Sequence, residues 1–180
     1  MTDTIIQQLN ELQQFDSTCN TLPEHLKHLK QLQTLFLIEC DELQLPESIG
    51  QLQKLQVLIL DKWINLKTLP ESIGQLQNLQ KLTLLWCQNL QTLPESIGQL
   101  KNLKELDLHG CRNLQALPQS IGQLKNLQKL SISDCNNLQT LKNIEHLQNL
   151  RELDLGRCAN RKVLIDSISG LCKLNTLTIR

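Results

Sequence analysis

Glu105, Asp107 and His109 alternate with leucines, so on a β-strand all three side chains would stand on one face. Two carboxylates beside an imidazole are the residue types of general acid–base work. Cys111 follows His109 by two residues and adds the parts of a Cys–His nucleophile. His25 and His28, three apart, supply half of a metal-ligand set. Each constellation lacks something its chemistry needs. Catalysis requires enclosure and positioning as well as residue types, and the strand that would carry the acids and the imidazole offers no cleft. No third ligand stands near the His pair. Glycines recur singly, within Ile-Gly-Gln, rather than in a phosphate-cradling cluster. The chain is therefore expected to be non-enzymatic, with no catalytic residues, no cofactor and no metal.

Composition narrows the field further. The 180 residues carry 18 Lys+Arg against 18 Asp+Glu, a net charge of zero. No basic stripe is thus available to release phosphate counterions from a nucleic acid, and aromatics at 2% leave few platforms for stacking bases. No run approaches the ~18 apolar residues of a membrane span; the densest stretch, Leu82–Cys87, is strand-sized. Met1–Gln8 has neither the basic nor the apolar region of a secretory signal. A cytoplasmic protein that binds neither nucleic acid nor membrane is expected.

Leu contributes 42 residues and Gln 22, and such dominance points to a repeat. Pro23, Pro46, Pro70, Pro94 and Pro118 lie 23, 24, 24 and 24 residues apart. Leu69-Pro70-Glu71-Ser72-Ile73-Gly74-Gln75-Leu76 recurs as Leu93-Pro94-Glu95-Ser96-Ile97-Gly98-Gln99-Leu100. Past Pro118 the proline is lost. Leu124, Leu147 and Leu171 still hold the register, with one residue deleted between Ser120 and Leu147. The unit is L-x-x-L-x-L-x-x-C-x-x-L-x-x-L-P-x-x-I-x-x-L, begun at Leu32, Leu55, Leu79, Leu103, Leu127, Leu150 and Leu174. Its L-x-L segment predicts a half-buried strand. Its Pro-Glu-Ser-Ile-Gly-Gln-Leu segment predicts a short helical turn with Pro at the first helical position.

This unit resembles the leucine-rich repeat family over about residues 22–180. Its Cys-type spacing is similar to that of plant intracellular immune-receptor repeats and of bacterial effectors. The resemblance implies an α/β solenoid, a right-handed curved coil with a parallel inner sheet and short helical turns on the outer face. One unit cannot bury its leucines alone, and stacked neighbours can. Residues 23–180 read as the repeat domain, with about seven repeats, and residues 1–22 as a capping helix and lead-in. Within the latter, Ile5, Ile6, Leu9, Leu12 and Phe15 fall on one helical face.

Cys40, Cys87, Cys111, Cys135 and Cys158 share one slot of the repeat, and Trp63 fills it in the second unit. The resemblance implies that these side chains turn inward and bond backbone groups of the neighbouring loop. A ladder of free, buried thiols would suit a reducing compartment. A disulfide framework is the alternative, although the seven cysteines cannot all pair. Cys19 reads as an imperfect forerunner of the ladder, and Cys172, out of register, as the most reactive thiol.

Strand positions between the leucines face the inner surface. The N-terminal half places Phe36, Ile38, Val57, Ile59, Leu85 and Trp86 there. The C-terminal half places Glu105, Asp107, His109, Asp134, Glu152 and Asp154, with Lys129 and Arg157 among them. An exposed apolar patch marks an interaction site, and Trp is a favoured hot-spot residue. The acidic half reads equally as a solvated face or as a dock for a basic partner. The expectation is a protein–protein interaction module that grips a partner protein on its concave sheet through Phe36, Ile38, Val57, Ile59, Leu85, Trp86, Glu105, Asp107 and His109. The resemblance adds the expectation of a bacterial effector acting inside a host cell. Two alternatives stand beside it. One is a cytosolic enzyme inhibitor similar to the Cys-rich ribonuclease inhibitor. The other is a self-assembling structural protein, since Leu177-Thr178-Ile179-Arg180 closes the sequence within a predicted strand that no polar cap follows.

Overall fold

The leucine alternation forms β1 (Thr34–Ile38), β2 (Val57–Asp61), β3 (Lys81–Leu85), β4 (Glu105–Asp107), β5 (Lys129–Ser131), β6 (Glu152–Asp154) and β7 (Thr176–Thr178). In the computed structural model, which describes residues 29–40 and 44–179, they make one parallel sheet in the order β1-β2-β3-β4-β5-β6-β7. The repeat register is unbroken. Leu35, Leu58, Leu82, Leu106, Leu130, Leu153 and Leu177 stand side by side across it. Parallel neighbours joined by a crossover wind right-handed, so the chain is the curved solenoid that its sequence predicts. Behind the sheet, strand and turn leucines such as Leu58, Leu79 and Leu82 are fully buried in one continuous core. The predicted helix over residues 3–15, Cys19, His25 and His28 lie outside the described residues.

The outer turns at Glu47–Gln51, Glu71–Gln75, Glu95–Gln99 and Gln119–Gln123 are 3-10 helices. Their prolines stand one residue earlier than the sequence suggests. Pro46, Pro70, Pro94 and Pro118 keep an extended backbone as N-caps, and their carbonyls accept the N–H of Ile49, Ile73, Ile97 and Ile121. The glutamate after each proline reaches the following coil. Glu47, Glu71 and Glu95 accept the backbone N–H of Ser72, Ser96 and Ser120 at 3.1, 3.2 and 2.9 Å. The Ser120 N–H holds the Glu95 carboxyl below its usual pKa. The glycine of each turn lets the next coil close in: a Cβ at Gly74 would lie 2.6 Å from the Ser96 carbonyl oxygen. Where the repeat loses its residue, Asn143 turns left-handed (φ 68°) and opens a shorter turn, Ile144–His146. The next coil replaces the 3-10 turn with α1 (Arg161–Asp166).

Trp63 and the thiols of Cys87, Cys111, Cys135 and Cys158 point into the core, 0–4% exposed. The last three thiols donate to the carbonyls of Leu84, Leu108 and Ile132 at 3.2, 3.3 and 3.1 Å. Each therefore satisfies a backbone carbonyl of the preceding coil, in or just past its strand. Cys40 departs from the ladder and is only half-buried. The six cysteines among the described residues are all free, which overturns the disulfide alternative.

Burial raises the pKa of Cys111, Cys135 and Cys158. An unfolded thiol ionises near pH ~8.5, so above that pH the unfolded chain holds fewer protons than the folded one. The stability that these thiols contribute is complete below that pH and drains away as pH rises beyond it. Removing one thiol as Cys111→Ser is expected to flatten the alkaline decline by up to about 1.4 kcal/mol per pH unit. Urea midpoints between about pH 8 and 10 measure this, and an unchanged slope would rule out thiol burial as the cause.

Candidate functional site

The nine candidate residues share the concave face of the sheet. Register sets Phe36 beside Ile59, and Ile38 beside Asp61 and then Leu85. Phe36 and Ile38 are 58% and 55% exposed, while Val57, Ile59, Leu85 and Trp86 are half-buried. Thr83, expected on the surface between Ile59 and Asp107, is buried instead, and its hydroxyl has no hydrogen-bond partner.

Each of the first six strands is followed by a left-handed residue: Glu39, Lys62, Trp86, Gly110, Asp134 and Arg157, with φ from 54° to 77°. This one-residue turn redirects the chain so that the very next residue takes the Cys or Trp slot. An L-residue held there costs about 1–2 kcal/mol, and Trp86 is held by what surrounds its ring. His109 meets the indole edge-to-face with centroids 4.7 Å apart. The Arg112 guanidinium stands 5.6 Å from the ring centre. Gly110 lies beneath, where a Cβ would come within 2.5 Å of the Trp86 Cε3. The tryptophan is thereby laid along the next coil, with part of its surface open.

On the polar half, the three residues first suspected of chemistry do not act as a unit. Glu105 turns to Lys81 at 3.0 Å, and Asp107 accepts the backbone N–H of His109 at 3.0 Å. The His109 ring reaches the next coil, with Nδ1 2.7 Å from Ser133 Oγ and Nε2 4.0 Å from Asp134 Oδ2. Ser133 and Asp134 are the partners that strand-by-strand reading missed. The grouping has the residue types of an acyl-transfer triad, but its backbone donors are spent. The N–H groups of Gly110 and Asp134 bond to Ser133 and Gly156 carbonyls, and that of Gly156 goes to Asp154 Oδ1. Those three N–H groups are therefore not free to hold an oxyanion, and Ser133 is buried. The cluster braces adjoining coils.

Charges along the face are mostly matched across neighbouring coils. Lys62 pairs with Glu39 at 2.7 Å, Lys129 with Glu152 at 3.1 Å and Arg157 with Asp134 at 3.6 Å. The Lys62–Glu39 pair raises the Lys62 pKa and lowers that of Glu39 through their hydrogen bond. Such exposed pairs contribute little to stability and mainly set the local pattern of charge. Asp107 and Asp154 take part in no ion pair among the described residues. With Ser131 between them, they line a shallow depression of about 340 Å³. No group of three potential metal ligands occurs among the described residues, and no described helix is long and apolar enough to cross a membrane.

Among curated protein sequences, none matches the chain. Solved structures do. The leucine-rich repeat domain of the type III effector XopL is 26% identical, with a TM-score of 0.47 over 88% of this chain and 72% of that one. Internalin C2 of Listeria monocytogenes is 22% identical, with a TM-score of 0.53 over 90% and 76% of the two chains. The ectodomain of the receptor kinase SOBIR1 from Arabidopsis thaliana is 22% identical, with a TM-score of 0.52 over 81% and 72%. The latter two share the fold. The sequence pattern described as a leucine-rich repeat region matches residues 5–88 and again 62–180. The recurring leucines, the unbroken parallel register and this match agree: the chain belongs to the leucine-rich repeat family.

Proposed function

We propose that the concave sheet binds a partner protein, with Phe36, Ile38, Ile59 and Trp86 as its apolar grip. Leucine-rich repeat solenoids are in general protein-interaction modules with extended concave surfaces. The observation that carries the specific reading is Phe36 and Ile38, two large apolar side chains on one strand, each more than half exposed. Their neighbours continue the surface toward a tryptophan whose ring is already fixed, so little side-chain entropy remains to be lost on binding. The free thiols suit a reducing compartment, which supports placing the interaction in the cytoplasm.

The test is affinity capture of a partner, followed by titration of the purified pair. Phe36→Ala and Trp86→Ala are each expected to weaken binding at least about ten-fold. Because Phe36 is exposed, its substitution should leave the thermal midpoint unchanged, which separates lost contact from lost fold. Undiminished affinity in both variants would refute the assignment.

A further inference from the structure

We infer that the segment which occupies this face is extended and basic, with an apolar end on Phe36 and Ile38 and Lys or Arg side chains against Asp107 and Asp154. The inference rests on the reading of the concave sheet as the binding face.

The chain is neutral as a whole, yet the described part of this face is not. Its strand positions and the left-handed residue after each strand carry seven acids and four cations, and each of those four cations is engaged by an acid of the face; one further cation, Arg112, stands against the Trp86 ring. Asp61, Asp107 and Asp154 are left over. Asp61 stands next to Lys62 in sequence and carries an Oδ1 that is buried without a hydrogen bond. Asp107 and Asp154 are the better placed. Each uses Oδ1 to accept a backbone N–H, from His109 and Gly156 respectively. Among the described residues no hydrogen bond claims the other oxygen. Both carboxylates are thus oriented before any ligand arrives, and their remaining oxygens line one depression.

Spacing favours an extended occupant. The two acids share a column two strands apart, with uncharged Ser131 between them. At ~4.8 Å per strand they lie roughly 10 Å from each other. A polyproline-II-like segment advances about 9 Å in three residues, so basic residues at i and i+3 meet both carboxylates. The whole sheet, on the order of 30 Å across, spans about nine residues of such a segment. Polyanions meet their own sign here: surplus carboxylates repel a phosphate backbone or an anionic lipid surface and attract ammonium and guanidinium groups.

The test is selection of random dodecapeptides displayed on phage against the immobilised full chain. The enriched peptides are then synthesised and titrated against wild type, the Asp107→Asn/Asp154→Asn double variant, and Phe36→Ala/Trp86→Ala. Asparagine keeps the Oδ1 acceptor, and circular dichroism with a thermal midpoint verifies the fold. Enriched peptides are expected to carry an apolar residue and two basic residues three apart. They should lose at least about ten-fold in affinity on the double variant and weaken steeply from about 0.05 to 0.5 M salt. Neutral or acidic winners, no enrichment, or basic winners that ignore the double variant would overturn the inference. Winners that need Phe36 and Trp86 but not the two aspartates sink the inference alone. Winners indifferent to both pairs sink the concave reading as well.

Discussion

Replacing Trp63 with Ala should remove about 3–5 kcal/mol of folding stability. Trp63 is 0% exposed and fills a slot that holds a small thiol in every other coil from β3 to the C-terminal helix. The core around it must therefore be shaped to an indole, and Ala leaves a void that flanking coils can close only by abandoning their register. A solenoid coil touches only its neighbours, so the damage should stay local: β1 and β2 lose their anchor while β4 to β7 keep theirs. In urea, the variant is expected to unfold in two stages by far-UV circular dichroism. The fluorescence of Trp86, then the sole tryptophan, should report a transition later than the first stage. Trp63→Cys restores the slot's usual chemistry but not its volume, and should recover only a minor part of the loss. A single coincident transition with less than about 1 kcal/mol lost would show that Trp63 does not anchor the first coils.

The strands were readable because L-x-L alternation and a half-buried strand are the same statement, and the Cys slot was readable because it keeps one spacing. Two features of the turns were less so. Pro at the N-cap and Pro at the first helical position look alike in sequence, since both suit the fixed φ of proline; the Ile49 N–H bonded to Pro46 decides between them. In sequence the near-identity of Pro-Glu-Ser-Ile-Gly marks only the repeat, yet Glu and Gly each perform a contact between coils. The left-handed residue after each of the first six strands carried almost no signal, because only Gly110 among the six is the residue type that advertises it. The contact between His109 and Ser133, 24 residues apart, was within reach. The repeat period itself sets these two side by side, once columns are compared across coils rather than along one strand. Thr83 was not: alternation sets it on the concave face beside Ile59 and Asp107, and its burial there belongs to the packed sheet rather than to its spacing.

Gly110→Ala is the substitution that should disturb the face most without changing any residue proposed to touch the partner. Its φ of 77° imposes on Ala a backbone penalty of about 1–2 kcal/mol. The new Cβ would also meet Trp86 Cε3 at 2.5 Å and Cδ2 at 2.8 Å, an overpacking term of about 1–3 kcal/mol. The ring cannot slide aside cheaply, since His109 stands at its edge and Arg112 near its face. A total cost of about 2–5 kcal/mol is expected, with the indole lifted off the next coil into water. The two contributions can be separated. In a Trp86→Ala background only the backbone penalty remains, so the double-mutant cycle should show a coupling of about 1–3 kcal/mol, the overpacking term. Equal cost in both backgrounds would mean that the indole does not press on Gly110. If the coupling is found, partner affinity should fall in Gly110→Ala nearly as far as in Trp86→Ala. A tryptophan contributes to a hot spot only while its ring is held in the pose the partner meets, and it is the bare Cα of Gly110 that leaves room for that pose.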